Sequence, residues 1–251
     1  NGGICDIPVM GDDTYEYSEG YLEVGDIPTF KIYDHDEARY FDVYPTENFA
    51  FANEKLFNIN ELLLDYNFNL HLGQTVNDYN NLVSFYSLPQ DQTINNIFSD
   101  ILPSIESVFG EATSAQYSSS GWTGSLIELN NTSGYWIRVT EAVTLNVTGQ
   151  SYNPNRTYNL NYGPNLVSFP AAGIIEISDG LPDDIEDNVI AVIGANPAQS
   201  TINEEDGWQG SLSAFEGGRG YWIITNQNIN FEFDLSTLSP LSRKEKYSNK
   251  E

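Results

Sequence analysis

The chain holds 251 residues, 36 of them acidic and 10 basic, for a formal net charge of −26 and a pI of about 4.1. That balance excludes a nucleic-acid partner, whose phosphates it would repel and which needs a Lys/Arg footprint, and it argues against an anionic membrane surface for the same reason. No run approaches the roughly 18 apolar residues of a transmembrane helix, while 40% apolar and 13% aromatic residues are too many for a disordered acidic tail.

One cysteine, Cys5, excludes an internal disulfide and a cysteine-based zinc site, and two histidines, His35 and His71, are too few for a multi-histidine metal site. Cys5 stands in Gly-Gly-Ile-Cys-Asp-Ile-Pro at the start of the chain. Either it forms a disulfide with a cysteine upstream or on a neighbouring chain, or it is a small buried hydrophobe. The start at Asn1, with neither initiator Met nor signal peptide, predicts a processed chain or an excised piece.

Residues 1–66 alternate as antiparallel strands over 21–24, 29–33 and 39–44, with a tight turn at Asp34-His35-Asp36-Glu37. This is short for a sandwich domain of roughly 100 residues. A partial β-sandwich is expected, its first strands upstream of Asn1 and its open edge covered by another chain or by the units that follow.

Those units, 67–149 and 150–239, are copies of one another. Asn81-Leu82-Val83-Ser84-Phe85 returns as Asn165-Leu166-Val167-Ser168-Phe169, Gly121-Trp122-Thr123-Gly124-Ser125-Leu126 as Gly207-Trp208-Gln209-Gly210-Ser211-Leu212, and Gly134-Tyr135-Trp136-Ile137 as Gly220-Tyr221-Trp222-Ile223. Between these anchors Leu102-Pro103 and Ile105-Glu106 echo Leu181-Pro182 and Ile185-Glu186, and the approach Asn69-Leu70-His71 matches Asn159-Leu160-Asn161. Each unit reads as β-rich with one short helix. In the first, Ile94, Ile97, Phe98, Ile101 and Leu102 take helical spacing behind a Thr93 or Asp91 cap. In the second, Ile174, Ile177 and Leu181 repeat the pattern, cut to a turn or two by Gly180 and Pro182. Val143-Leu145-Val147 and Ile229-Phe231-Phe233 alternate as strands. Residues 240–251, with Arg243, Lys244, Lys246 and Lys250, read as a polar linker or arm.

On these residues the chain resembles tandem β-modules of large secreted bacterial surface proteins, of the Bacteroidota-type and marine multidomain kind. Gly25-Asp26-Ile27-Pro28-Thr29-Phe30-Lys31-Ile32-Tyr33-Asp34 is similar to a strand pair of their sandwich module, and the three duplicated motifs are similar to the modules that follow it. The resemblance covers most of the chain. It implies secretion and a multidomain, surface-associated parent, and it brings no catalytic residues.

All four tryptophans occupy duplicated positions. In Tyr135-Trp136-Ile137-Arg138-Val139 period two puts Tyr135, Ile137 and Val139 on a core face and Trp136 on the other. Trp136 and Trp222, with Trp122 and Trp208, either pack unit against unit or form a platform on which sugar rings stack. The acidic loops, among them Asp12-Asp13, Asp183-Asp184-Asp187 and Glu204-Glu205-Asp206, read as a solvated surface or as calcium ligands. The calcium candidates are Asp34, Asp36 and Asp42, which a hairpin turn could gather. No cofactor is required, and Ca2+ is the one considered. Among 36 carboxylates some pair always lies close, so a glycosidase dyad cannot be read from proximity. Neither histidine suits a catalytic triad, and Gly217-Gly218-Arg219-Gly220 lacks the Lys-Ser/Thr of a phosphate loop.

The expectation is a mainly β, non-catalytic structural or adhesive module of a cell-surface or extracellular assembly. It joins neighbouring domains or subunits by strand or domain-edge complementation, without nucleic acid and without membrane insertion. The alternative is a carbohydrate-binding module on the tryptophans. A glycoside-active enzyme ranks third.

Overall fold

A computed structural model describes residues 6–34, 39–71, 81–195 and 199–240. Period-two alternation governs them, and the protein is mainly β, in antiparallel sheets with three short helices. Three strands precede the repeats: β1 (Phe30–Asp34), β2 (Arg39–Pro45) and β3 (Leu62–Leu70). The first repeat adds β4 (Asn81–Ser84), β5 (Ser87–Leu88), β6 (Ile105–Phe109), β7 (Ser114–Ser118), β8 (Gly121–Gly124), β9 (Gly134–Val139) and β10 (Val143–Ser151). The second adds β11 (Tyr158–Leu160), β12 (Gly163–Ser168), β13 (Gly173–Glu176), β14 (Val189–Gly194), β15 (Gln199–Glu204) and β16 (Gly207–Gly210). It closes with β17 (Ala214–Glu216), β18 (Gly220–Thr225), β19 (Ile229–Phe231) and β20 (Ser239–Pro240).

The repeated motifs reflect a repeated topology. One five-stranded sheet runs β4-β9-β6-β7-β8 and the other β12-β18-β14-β15-β16. Their registers coincide: Leu82 stands opposite Trp136 and Val83 opposite Tyr135, as Leu166 stands opposite Trp222 and Val167 opposite Tyr221. The same irregularity recurs, between Ile105 and Ser107 against β9 and between Val189 and Ala191 against β18. This register equates Ile105 with Val189, so the echo of Ile105-Glu106 in Ile185-Glu186 is one of sequence only. Ile185 belongs to a helix.

Behind each five-stranded sheet lies a second layer. Phe68 and Leu70 of β3 stand opposite Leu145 and Val143 of β10, and Tyr158 and Leu160 of β11 stand opposite Phe231 and Ile229 of β19. Between the layers lie two cores, one around Phe85, Phe98, Val108 and Tyr135, the other around Phe169, Val192, Phe215 and Tyr221. Each such side chain contributes about 1.5–3 kcal/mol by leaving water.

The helix α1 (Ile94–Ile97) begins at Thr93, whose Oγ1 accepts the Asn96 N–H at 3.3 Å, while Asp91 accepts the Thr93 N–H at 3.0 Å. Of the two expected caps, Thr93 is the one used, and Asp91 fixes the turn that leads into it. A 3-10 turn at Ser99–Ile101 continues it, and Ile94, Ile97, Phe98 and Ile101 are buried. In the second repeat Ile174 lies in β13, and two helices follow, α2 (Ile177–Gly180) and α3 (Asp183–Glu186). Pro182 separates them, having no N–H with which to continue α2.

The N-terminal strands join the first repeat in one sheet, ordered β1-β2-β3-β10-β5. The boundary expected at 66/67 falls inside β3, which bonds β2 on one side and β10 on the other, and that at 149/150 falls inside β10. Between Asp6 and Glu61 the described residues bury a single apolar side chain, Val43.

Candidate functional site

The duplicated residues converge on the seam where the two repeats meet. Asn81 opens β4, its equivalent Asn165 is the third residue of β12, and each is buried. Asn81 Oδ1 accepts the His71 N–H at 2.9 Å, and its Nδ2 donates to the carbonyls of His71 at 2.8 Å and Ile137 at 3.0 Å. Asn165 does the same with Asn161, at 2.8 Å for both bonds, and donates to Ile223 at 3.4 Å. Each asparagine thus ties the incoming chain to the Gly-Tyr-Trp strand through groups that would otherwise be buried unpaired.

The seam itself is reciprocal. Val83 bridges to Arg219 and Val167 to Ser133, which are equivalent pairs. The Ser84 N–H donates to the Gly218 carbonyl at 2.9 Å and the Ser168 N–H to the Thr132 carbonyl at 3.0 Å. Such mutual pairing marks a pseudo-twofold relation, the geometry of an isologous dimer within one chain. Tyr135 and Tyr221 point inward, and their hydroxyls accept the backbone N–H of Asn130 at 2.8 Å and of Glu216 at 2.7 Å.

Trp136 and Trp222 lie at this seam, half-buried against Leu82, Leu166 and Ala195. Trp122 packs on the first core, 5.1 Å from the Tyr117 ring and 6.0 Å from that of Phe98. Trp208 packs on the second core and donates its Nε1–H to the Glu186 carboxylate. The four indoles are spread over three packing sites, and none of them lines either of two depressions, one beside Asp179 and one beside Glu111. The Gly-Trp-x-Gly-Ser-Leu motif has a steric role as well. A Cβ on Gly124 would lie 2.2 Å from the Ser114 carbonyl oxygen, and one on Gly210 would lie 2.1 Å from that of Ser200. The chain turns from there to bury Leu126 and Leu212.

Of the calcium candidates, the backbone positions of Asp34 and Asp42 are described. Asp34 stands opposite Arg39, Asp42 stands opposite Lys31, and Asp36 lies outside the described residues, as does Cys5. Among the described residues no group of three or more His, Cys, Asp or Glu side chains is arranged to hold a metal ion. The larger depression, about 470 Å³, is open and lined by Asp179, Asp183, Asp184 and Asp234 beside Ser178 and Thr237. The other, about 290 Å³, lies in the seam beside Glu111, Ser133, Asn161 and Asn165. Among the described residues the carboxylates whose protonation is displaced, Asp13, Glu47, Asp91 and Asp234, all move down, chiefly because hydrogen bonds from Ser18, Asn60, Thr93 and Ser236 favour the anion. That is the direction of a fixed acceptor, opposite to that of a general acid.

Two seam residues carry no sequence signal of their role. Arg156 donates from Nη1 to the Asn131 carbonyl and from Nη2 to that of Pro170, both at 2.9 Å, clamping one repeat to the other. Glu111 of the first repeat accepts the Leu166 N–H of the second at 2.9 Å. Their partners are backbone groups, so residue type at the far end gives nothing to match.

At the opposite end, β1 bonds β2 alone among the described strands. Ile32 and Tyr33 on it are exposed, 42% and 50%, and so are Ile7, Val9, Met10, Val24 and Ile27 nearby in sequence. An edge strand with exposed apolar side chains of this kind is a template for another strand. No protein family, curated protein or solved structure matches the chain.

Proposed function

We propose that the protein is a non-catalytic structural or adhesive module of a bacterial cell-surface or extracellular assembly, in which a neighbouring domain or subunit completes the sheet edge at β1. The observation that carries this reading is the contrast within one chain. Residues from Leu62 onward fill two cores, whereas the described residues between Asp6 and Glu61 bury Val43 alone among apolar side chains and leave Ile32 exposed on an edge strand. A segment that buries so little apolar surface does not offset its own ordering entropy, and a partner that covers it supplies the difference.

Strand addition suits this edge because backbone hydrogen bonds provide affinity and alternate side chains provide specificity. The duplicated aromatics support the same reading from the other side, since their places are in cores and seam rather than around a cleft. The high negative charge fits a solubilising surface on a secreted protein.

Light scattering and electron microscopy over a range of concentrations test the reading. The wild-type chain is expected to form ordered higher species, and Ile32→Glu, which places a charge on the β1 edge, is expected to reduce them at unchanged thermal stability. A monodisperse wild-type monomer at all concentrations would count against it.

A further inference from the structure

The duplication provides an internal control for the protein surface. Strand register equates Glu106, Ser107, Gln116 and Arg138 of the first repeat with Ile190, Ala191, Ile202 and Ile224 of the second. In the first repeat Arg138 pairs with Glu106 at 3.5 Å on a solvent-facing surface. In the second, both members of that ion pair are isoleucine, and Gln116 is replaced by a third.

The outer face of the second sheet is apolar as a result. Its two central rows read Pro164, Ile224, Ala191, Ile202, Gln209, and Leu166, Trp222, Ile193, Ser200, uncharged in a chain of net charge −26, and Glu204 stands on the same face at the end of β15, opposite Gly207. Ile190 is 44% exposed, Ile193 37% and Ile202 48%. The same sheet folds with Glu, Arg and Gln at these positions in the first repeat, so folding of the sheet does not require isoleucine there. Exposed contiguous apolar surface of this kind marks an interaction site.

We propose that this face packs against the same face of a second copy, sheet on sheet about a twofold axis. Continuity with the seam identifies the occupant. The outer faces of the two repeats already meet there, Leu82 and Trp136 beside Leu166 and Trp222, so this type of face has a partner of its own kind within the chain. In both repeats the seam tryptophan is followed outward by an exposed apolar side chain, Phe109 or Ile193, and on the second repeat alone the apolar surface goes on through Ile224 to Ile202. A flat β face is complemented by another at about 10 Å spacing. The two central rows carry no carboxylate, so two strongly acidic chains can approach there without setting like charges opposite one another, with Glu204 at the margin of the face. The contact is isologous, so it closes at two copies. It is independent of the β1 edge.

Sedimentation equilibrium and light scattering at 0.15 M salt, with a dilution series, test it. With association through β1 suppressed by Ile32→Glu, the chain is expected to show twice the 28.1 kDa chain mass. The triple variant Ile190→Glu, Ile202→Gln, Ile224→Arg, which installs the first repeat's residues, is expected in the same background to show the chain mass with unchanged circular dichroism. If the triple variant fails to fold, Ile202→Gln alone decides, with dimer dissociation shifted at least tenfold in concentration. A wild type monomeric throughout, or a dimer indifferent to these substitutions, would overturn the proposal. So would loss of association on Ile32→Glu but not on the triple variant, which would assign the contact to β1, and so would open-ended growth through the isoleucine face.

Discussion

Gly134 and Gly220, the first residues of the two Gly-Tyr-Trp strands, face each other across the pseudo-twofold seam. A Cβ on Gly220 would lie 3.1 Å from Gly134 Cα, 3.0 Å from Leu82 Cδ1 and 2.9 Å from the Val83 carbonyl oxygen. A Cβ on Gly134 would lie 3.0 Å from both Leu166 Cδ1 and the Val167 carbonyl oxygen, the equivalent atoms of the other repeat. Alanine at either position forces the two sheets apart, and overpacking of this kind costs about 1–3 kcal/mol. Urea unfolding of Gly134→Ala and Gly220→Ala is expected to show that loss. The double variant should lose less than the sum, because the first Cβ already opens the seam for the second.

The buried asparagines give a prediction of different origin. Asn81→Ala and Asn165→Ala each remove a side chain that satisfies one backbone N–H and at least two carbonyls. The orphaned groups cost about 1–3 kcal/mol per site. Hydrogen exchange is expected to locate the loss at the N–H of His71 or Asn161, with faster exchange there than at the strand centres. Equal stability of either variant and wild type would contradict the role assigned to Asn-Leu-Val-Ser-Phe.

Burial raises the phenols of Tyr66, Tyr135, Tyr158 and Tyr221 above their ordinary value. A group whose folded value exceeds its unfolded one gives its full stabilisation below the unfolded value, about 10 for tyrosine. Above that the unfolded chain releases protons that the folded chain keeps, so stability falls with rising pH until the folded values are passed. Titration at 295 nm should therefore show part of the 16 tyrosines ionising reversibly near pH 10 and the remainder only together with loss of the circular dichroism signal. Smooth titration of all of them with the fold intact would contradict the burial.

Much of this fold was legible because its signals are local or repeated. Period two in Tyr135-Trp136-Ile137-Arg138-Val139 placed Tyr135, Ile137 and Val139 on the core side, and all three are buried. Thr93 was legible as a cap because capping acts over two or three residues. The extent of β3 was not, because its partner β10 follows an entire intervening sheet in sequence. The Ile185-Glu186 echo misled because the bulge and the short helices shift the register without changing residue type. At the seam, the cover over Trp136 comes from the other repeat, and only the packing of two sheets reveals it. Arg156 was silent for a related reason, since it binds carbonyls that every residue possesses.

The account rests on the duplicated rings serving to join and fill the repeats, and Trp136→Ala and Trp222→Ala test it most directly. Each variant should be measured for unfolding free energy and, by fluorescence quenching of the remaining indoles, for binding to a panel of polysaccharides. The account predicts a loss of about 2–4 kcal/mol per site, somewhat below that of a fully buried ring, with quenching by the polysaccharides no weaker than in the wild type. Wild-type stability with abolished polysaccharide binding would contradict it.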